Sequence, residues 1–219
     1  MTRKDEVISA TKDFVKVTLK DAEGGHDWFH SLRVYKNAKL IAKNEMVDNY
    51  IVALGALLHD IADSKFHNGD ETIGPKMAKD FLLKHNVADF VIDNVIDIIK
   101  NISFNKSLEK NKKHNSLELD VVQDADRLDA IGAIGIARCF NYGGFKNRKL
   151  FDPSIKPNVN LTKDEYKSST APSINHFYEK LLLLSDKMNT NTGKQIAMQR
   201  HQFMTEYLDQ FNAEWDGKK

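Results

Sequence analysis

Residues 54–63 read LGALLHDIAD, and they decide how the chain is understood. The stretch belongs to an apolar helix expected from about Asp48 to Ala62. Its residues Tyr50, Ile51, Ala53, Leu54, Ala56, Leu57, Leu58 and Ile61 cover more than half the circumference. Such a helix is central and buried. His59 and Asp60 interrupt it as two adjacent ionisable groups. Burying a charge costs several kcal/mol unless a partner or a metal neutralises it. The chain offers partners on both sides: His30 in GHDWFHSLRV and the aspartates of VVQDADRLDAIG. Two imidazoles and two carboxylates on apolar helices point to a divalent metal site and to hydrolysis.

Working outward, the apolar spacing is helical almost everywhere. Val7, Ile8, Thr11, Phe14 and Val15 form a first amphipathic stripe, ended by Gly24 and Gly25. A second helix starts at Asp27, a suitable N-cap, and runs through Ile41. Further helices are expected at about 73–85, 88–102, 116–129 and 130–140. From 141 to 172 the chain turns polar and rich in Gly, Pro, Asn and Ser. A loop of that length is read as a functional lid or as a partly disordered insertion. Two C-terminal helices, 174–188 and 194–215, close the chain, with TNTG (190–193) as a break ahead of the second. The expected fold is all-α: one domain over 1–219, with a core at 26–135 and a helical extension at 173–216.

Composition narrows the function. With 32 Lys plus Arg against 31 Asp plus Glu, there is no basic field for a nucleic-acid polymer. One cysteine, Cys139, excludes an intrachain disulfide and a multi-cysteine zinc site. The N-terminus lacks a signal sequence and no segment reaches the roughly 20 apolar residues of a membrane span. A cytoplasmic protein without a membrane partner is expected. Self-association as a homodimer is compatible with the sequence.

Within VVQDADRLDAIG, Val121, Val122, Ala125, Leu128 and Ile131 form the apolar face, and Asp126 lies on its edge beside Asp124 and Asp129. A mixed imidazole and carboxylate set suits Mn, Fe, Co, Ni or Zn better than Ca. With four protein ligands, positions remain for water and substrate. The order His, His-Asp, Asp, in HDWFHSLRV, LLHDIAD and DADRLDAIG, resembles the HD superfamily of metal-dependent phosphohydrolases. The resemblance covers about residues 26–135. It implies that His30, His59, Asp60 and Asp126 ligate the metal, the A-D-R context favouring Asp126 over Asp124. His26-Asp27 opens a helix and lacks the apolar run, so it is not read as the ligand pair.

In-line attack at phosphorus requires cations against the developing charge. Arg33, one turn after His30, Lys65 in the loop after the dyad, and Arg127 are candidates. Lys187, Lys194 and Arg200 are further candidates to bind phosphate. Asp63, one turn past His59 and Asp60, is the candidate to orient or deprotonate the attacking water. Lys65 is placed with it in the chemistry. His26 and His67 could act as acids or contact phosphate, but read first as ordinary surface.

Within the superfamily, HDIADSKF and the long C-terminal extension resemble bacterial nucleoside triphosphate pyrophosphohydrolases. The expected substrate is a small phosphorylated molecule, a nucleotide, and the expected cofactor is Mn or another divalent ion (Mg, Co, Ni, Fe or Zn). Three alternatives stay open: a 5'-nucleotidase, a (p)ppGpp hydrolase and a metal-braced sensor without catalysis. The alarmone reading is weakened because Asp63-Ser64 supplies half of an acidic pair and Leu-Asp-Ala follows A-D-R.

Overall fold

The computed structural model describes residues 2–22, 25–62, 70–102, 116–160, 162, 165 and 169–219. Every regular element among them is helical. The chain divides into two compact units, Met1–Asp126 and Arg127–Lys219.

The first unit holds α1 (Arg3–Thr18), α2 (Trp28–Ala42), α3 (Asn49–Leu58), α4 (Ile73–Lys84), α5 (Asp89–Asn101) and most of α6 (Leu117–Asp129). Capping explains where several begin. Thr2 and Asp5 form a reciprocal capping box on α1. Asp27 accepts from the His30 amide to start α2. Asp48 accepts from the Tyr50 and Ile51 amides to start α3. Every residue of α3 after Asn49 is buried, and α1, α2 and α5 pack around it. The helices come close at Gly55. A Cβ there would lie 2.9 Å from Ile98 of α5 and 3.6 Å from Val122 of α6.

α3 is shorter than the sequence suggested. It ends at Leu58 with His59 as its C-cap, and the Ile61 amide bonds back to Leu58 in a tighter turn. The dyad therefore sits where the helix ends, and its side chains leave the apolar face instead of continuing it.

The second unit contains α7 (Gly132–Phe145), a π-helical turn (Phe177–Leu181), a 3-10 stretch (Leu182–Lys187) and α8 (Asn191–Trp215). Three expectations change here. α7 runs on to Phe145, so the first part of the supposed lid is helix. The segment after it is tied down where described: the Ser173 and Ile174 amides bond to Lys149 and Leu150, and the Asn175 amide side chain donates to the Ile155 carbonyl. TNTG is a helix start, not a break. Thr190 caps α8 by accepting from the Gly193 amide at 2.9 Å.

The third change concerns the expected helix at 174–188. Its apolar residues Phe177, Leu181, Leu184 and Met188 are buried, but one underwound turn is followed by an overwound one. The two deviations offset each other in rotation. A periodic stripe reports the average twist and is blind to how the hydrogen bonds are distributed. No described helix is long and apolar enough to cross a membrane.

Candidate metal centre

The site lies in the first unit and is assembled from three helix ends. His30 stands on the first turn of α2, His59 and Asp60 follow α3, and Asp126 is on α6. His30 and His59 are 2% and 7% exposed, so neither imidazole is an ordinary surface group. Two contacts set the register of α6: the Asn37 side chain donates to the Ala125 carbonyl at 3.2 Å, and Gln123 donates to Asn101 at 3.0 Å.

The donor atoms converge. His30 Nε2 lies 3.3 Å from His59 Nε2 and 3.5 Å from Asp126 Oδ1, and His59 Nε2 lies 4.0 Å from the same oxygen. Ligands bonded at about 2.1 Å to one cation are about 3.0–3.4 Å apart in octahedral or tetrahedral geometry. His59 Nδ1 stands 2.9 Å from the Ala56 carbonyl. A carbonyl only accepts, so Nδ1 carries the proton, and the ring turns its Nε2 toward the other donors. This is the arrangement that fixes the tautomer of a metal-ligating histidine. The donor set fits a divalent cation.

Asp60 makes a second group with His26 and His30. Its Oδ2 is hydrogen-bonded to His26 Nδ1. Burial pushes the Asp60 carboxyl up, but the His26 hydrogen bond and the charges of His26, His59 and His30 outweigh it and hold it at about 2. The carboxylate is therefore ionised at neutral pH. His26 was missed in the sequence because it precedes the helix and sits 34 positions from its partner. The one local hint is its spacing of four residues from His30.

The other candidates fall in different places. Arg33 is half-buried on α2, one turn from His30. Asp124 is fully buried on α6. Asp63, Lys65 and His67 lie outside the described residues. Arg127, Lys187, Lys194 and Arg200 belong to the second unit. There, Arg127 donates to the Lys187 carbonyl and Arg200 to the Leu128 carbonyl. Lys187 and Lys194 are exposed. Lys194 lines an open cavity of about 630 Å³ with Ser185, Asp186 and His201. Asp129 is paired with Arg138 at 2.6 Å.

Known proteins share this pattern. The HD domain profile matches residues 28–131. YpgQ, an uncharacterized protein of Bacillus subtilis, is 36% identical over 208 residues, spanning 94% of this chain and 92% of YpgQ. The crystal structure of an HD-superfamily hydrolase from Bacillus thuringiensis superposes with a TM-score of 0.78 at 43% identity, covering 97% of this chain and 98% of that one. The crystal structure of YpgQ in complex with ADP gives a TM-score of 0.76 at 33% identity over 97% of each chain. With His30, the His59-Asp60 dyad and Asp126 in the order of that family, the chain belongs to the HD superfamily of hydrolases.

Proposed function

We propose that this hydrolase is a metal-dependent phosphohydrolase of nucleotides that converts a nucleoside triphosphate to the monophosphate and pyrophosphate. The observation that carries the reading is the convergence of His30 Nε2, His59 Nε2 and Asp126 Oδ1 within 4.0 Å of one another, beside an ionised Asp60. A divalent cation held there, Mn in this reading, supplies Lewis acidity toward a phosphoryl oxygen and a lowered water pKa. The two imidazoles and the two carboxylates would hold it. The crystal structure of YpgQ with ADP supports a nucleotide as the ligand class.

Asp63 is assigned to orient or deprotonate the water. Lys65 and Arg33 are assigned to the phosphoryl oxygens. Arg127, Lys187, Lys194 and Arg200 are further candidates to bind phosphate. Water attacks the α-phosphorus, the bond from that phosphorus to the bridging oxygen breaks, and pyrophosphate leaves.

The test is turnover of a panel of ribo- and deoxyribonucleoside triphosphates with added Mn in 18O-labelled water. Pyrophosphate release with the label in the monophosphate is expected. Orthophosphate release would mark a nucleotidase, release of pyrophosphate from (p)ppGpp alone an alarmone hydrolase, and no turnover with metal bound a sensor. Lys65→Ala is expected to keep the metal and slow turnover.

A further inference from the structure

Resting on the metal-centre reading above, we infer that His26 is a positioning residue that locks the Asp60 carboxylate for metal binding through an Nδ1–H hydrogen bond to Oδ2. The two members of the central dyad then have parallel supports. His59 is held through its Nδ1 by the Ala56 carbonyl at 2.9 Å, and Asp60 is held through its Oδ2 by His26. Each keeps one donor atom, Nε2 or Oδ1, for the cation.

The placement of His26 is set by the start of α2. Asp27 caps that helix by accepting from the His30 amide at 2.8 Å, which leaves His26 just ahead of the first turn. Its ring meets that of His30 edge-on, with centroids 5.8 Å apart. The side chains of His26 and Asp60 are 27% and 17% exposed, so water competes only partly for the bond. His26 is close enough to be considered a ligand itself, in a group with His30 and Asp60. The hydrogen bond argues for the supporting role. A carboxylate accepts, so Nδ1 carries the proton and has no lone pair for a cation. Groups that orient metal ligands in this way typically contribute about 10- to 100-fold in affinity.

The experiment measures Mn affinity calorimetrically, and the visible spectrum of the Co-substituted protein, for the full chain and three variants. Asn places its amide nitrogen near the position of Nδ1, whereas Gln places it near Nε2. His26→Ala and His26→Gln are expected to lose about 10- to 100-fold in affinity and to alter the Co spectrum. His26→Asn should stay within about threefold of the parent, since it restores the donor that orients the ligand. Equal affinities of the Asn and Gln variants would overturn the inference even if the Ala variant does not fold. A loss in His26→Asn as deep as that of Asp60→Ala would overturn it too, by making His26 a ligand. A parent protein that takes up neither Mn nor Co would sink the metal centre as a whole, a result separate from these.

Discussion

The Nε2 atoms of His30 and His59 face each other at 3.3 Å, and the second ring has its other nitrogen committed to the Ala56 carbonyl. Two buried nitrogen lone pairs at that distance repel unless a proton or a cation lies between them. Asp126 Oδ1, 3.5 Å from the first and 4.0 Å from the second, adds negative charge to the same spot. Metal binding should therefore stabilise the folded chain by mass action. At a concentration 100-fold above its dissociation constant, the gain is about 2.7 kcal/mol. Addition of Mn to chelator-treated protein is expected to raise the thermal midpoint by about 5–10 °C for a chain of this size. His59→Ala and Asp60→Ala should abolish that rise. A full metal complement in the Asp60→Ala protein would remove Asp60 from the site.

Gly132 supplies a test of packing in the second unit. Its φ is +74°, and a Cβ would lie 3.0 Å from Arg200 Cγ, whose guanidinium reaches the Leu128 carbonyl. Gly132→Ala combines left-handed backbone with a close contact and should cost about 1–3 kcal/mol. Gly144, exposed in the last turn of α7 with nothing within 4 Å of its would-be Cβ, should behave in the opposite way. Gly144→Ala is expected to be neutral or to stabilise by up to about 1 kcal/mol. Urea unfolding of the two variants should separate them, and equal midpoints would contradict the packing described for Gly132.

The dyad and the central helix were legible because α3 carries no acidic or basic residue between its cap, Asp48, and His59. An unbroken apolar run that ends in His-Asp leaves few structural alternatives. Asp27 and Asp48 were readable as starts because capping is a local property. The grouping of His30 with Asp126 needed the family pattern, since no periodicity relates positions 96 residues apart. His26 escaped because its significance lies wholly in a tertiary hydrogen bond. The π turn at Phe177–Leu181 escaped for a different reason: paired with the 3-10 stretch, it preserves the apolar stripe. The role of two second-unit arginines was also only half legible. Arg127 and Arg200 read in the sequence as candidate phosphate binders, and each donates to a main-chain carbonyl.

Cys139 should be chemically quiet despite being the one thiol of the chain. Burial pushes it up to about 12, against a small opposing pull from Arg148, and its Sγ donates to the Ser173 carbonyl at 3.4 Å. The thiolate is the reactive species. Alkylation of native protein by iodoacetamide at pH 8 should be at least about tenfold slower than in urea, since the thiolate fraction is depleted by more than that factor. Rapid labelling of native protein would show that α7 opens locally around this position.

His176 should make the chain sensitive to mild acid. Burial drives its imidazole down to about 3, helped by the nearby charges of Lys180 and Arg148. The unfolded chain has an ordinary histidine near 6.5, so between pH 6.5 and 3 it binds a proton that the folded protein refuses. Stability therefore rises with pH across that window and is fully present above it. Between pH 7.5 and 5.0 the loss from this group is about 2 kcal/mol, at 1.36 kcal/mol per pH unit once the unfolded histidine is protonated. His176→Gln removes the titration while keeping a polar side chain of similar length. The difference in urea midpoint between parent and variant, measured at both pH values with chelator present to silence the metal ligands, should narrow or invert as the pH falls. A difference that stays constant from pH 7.5 to 5.0 would mean that His176 takes up its proton in the folded protein as readily as in the unfolded chain.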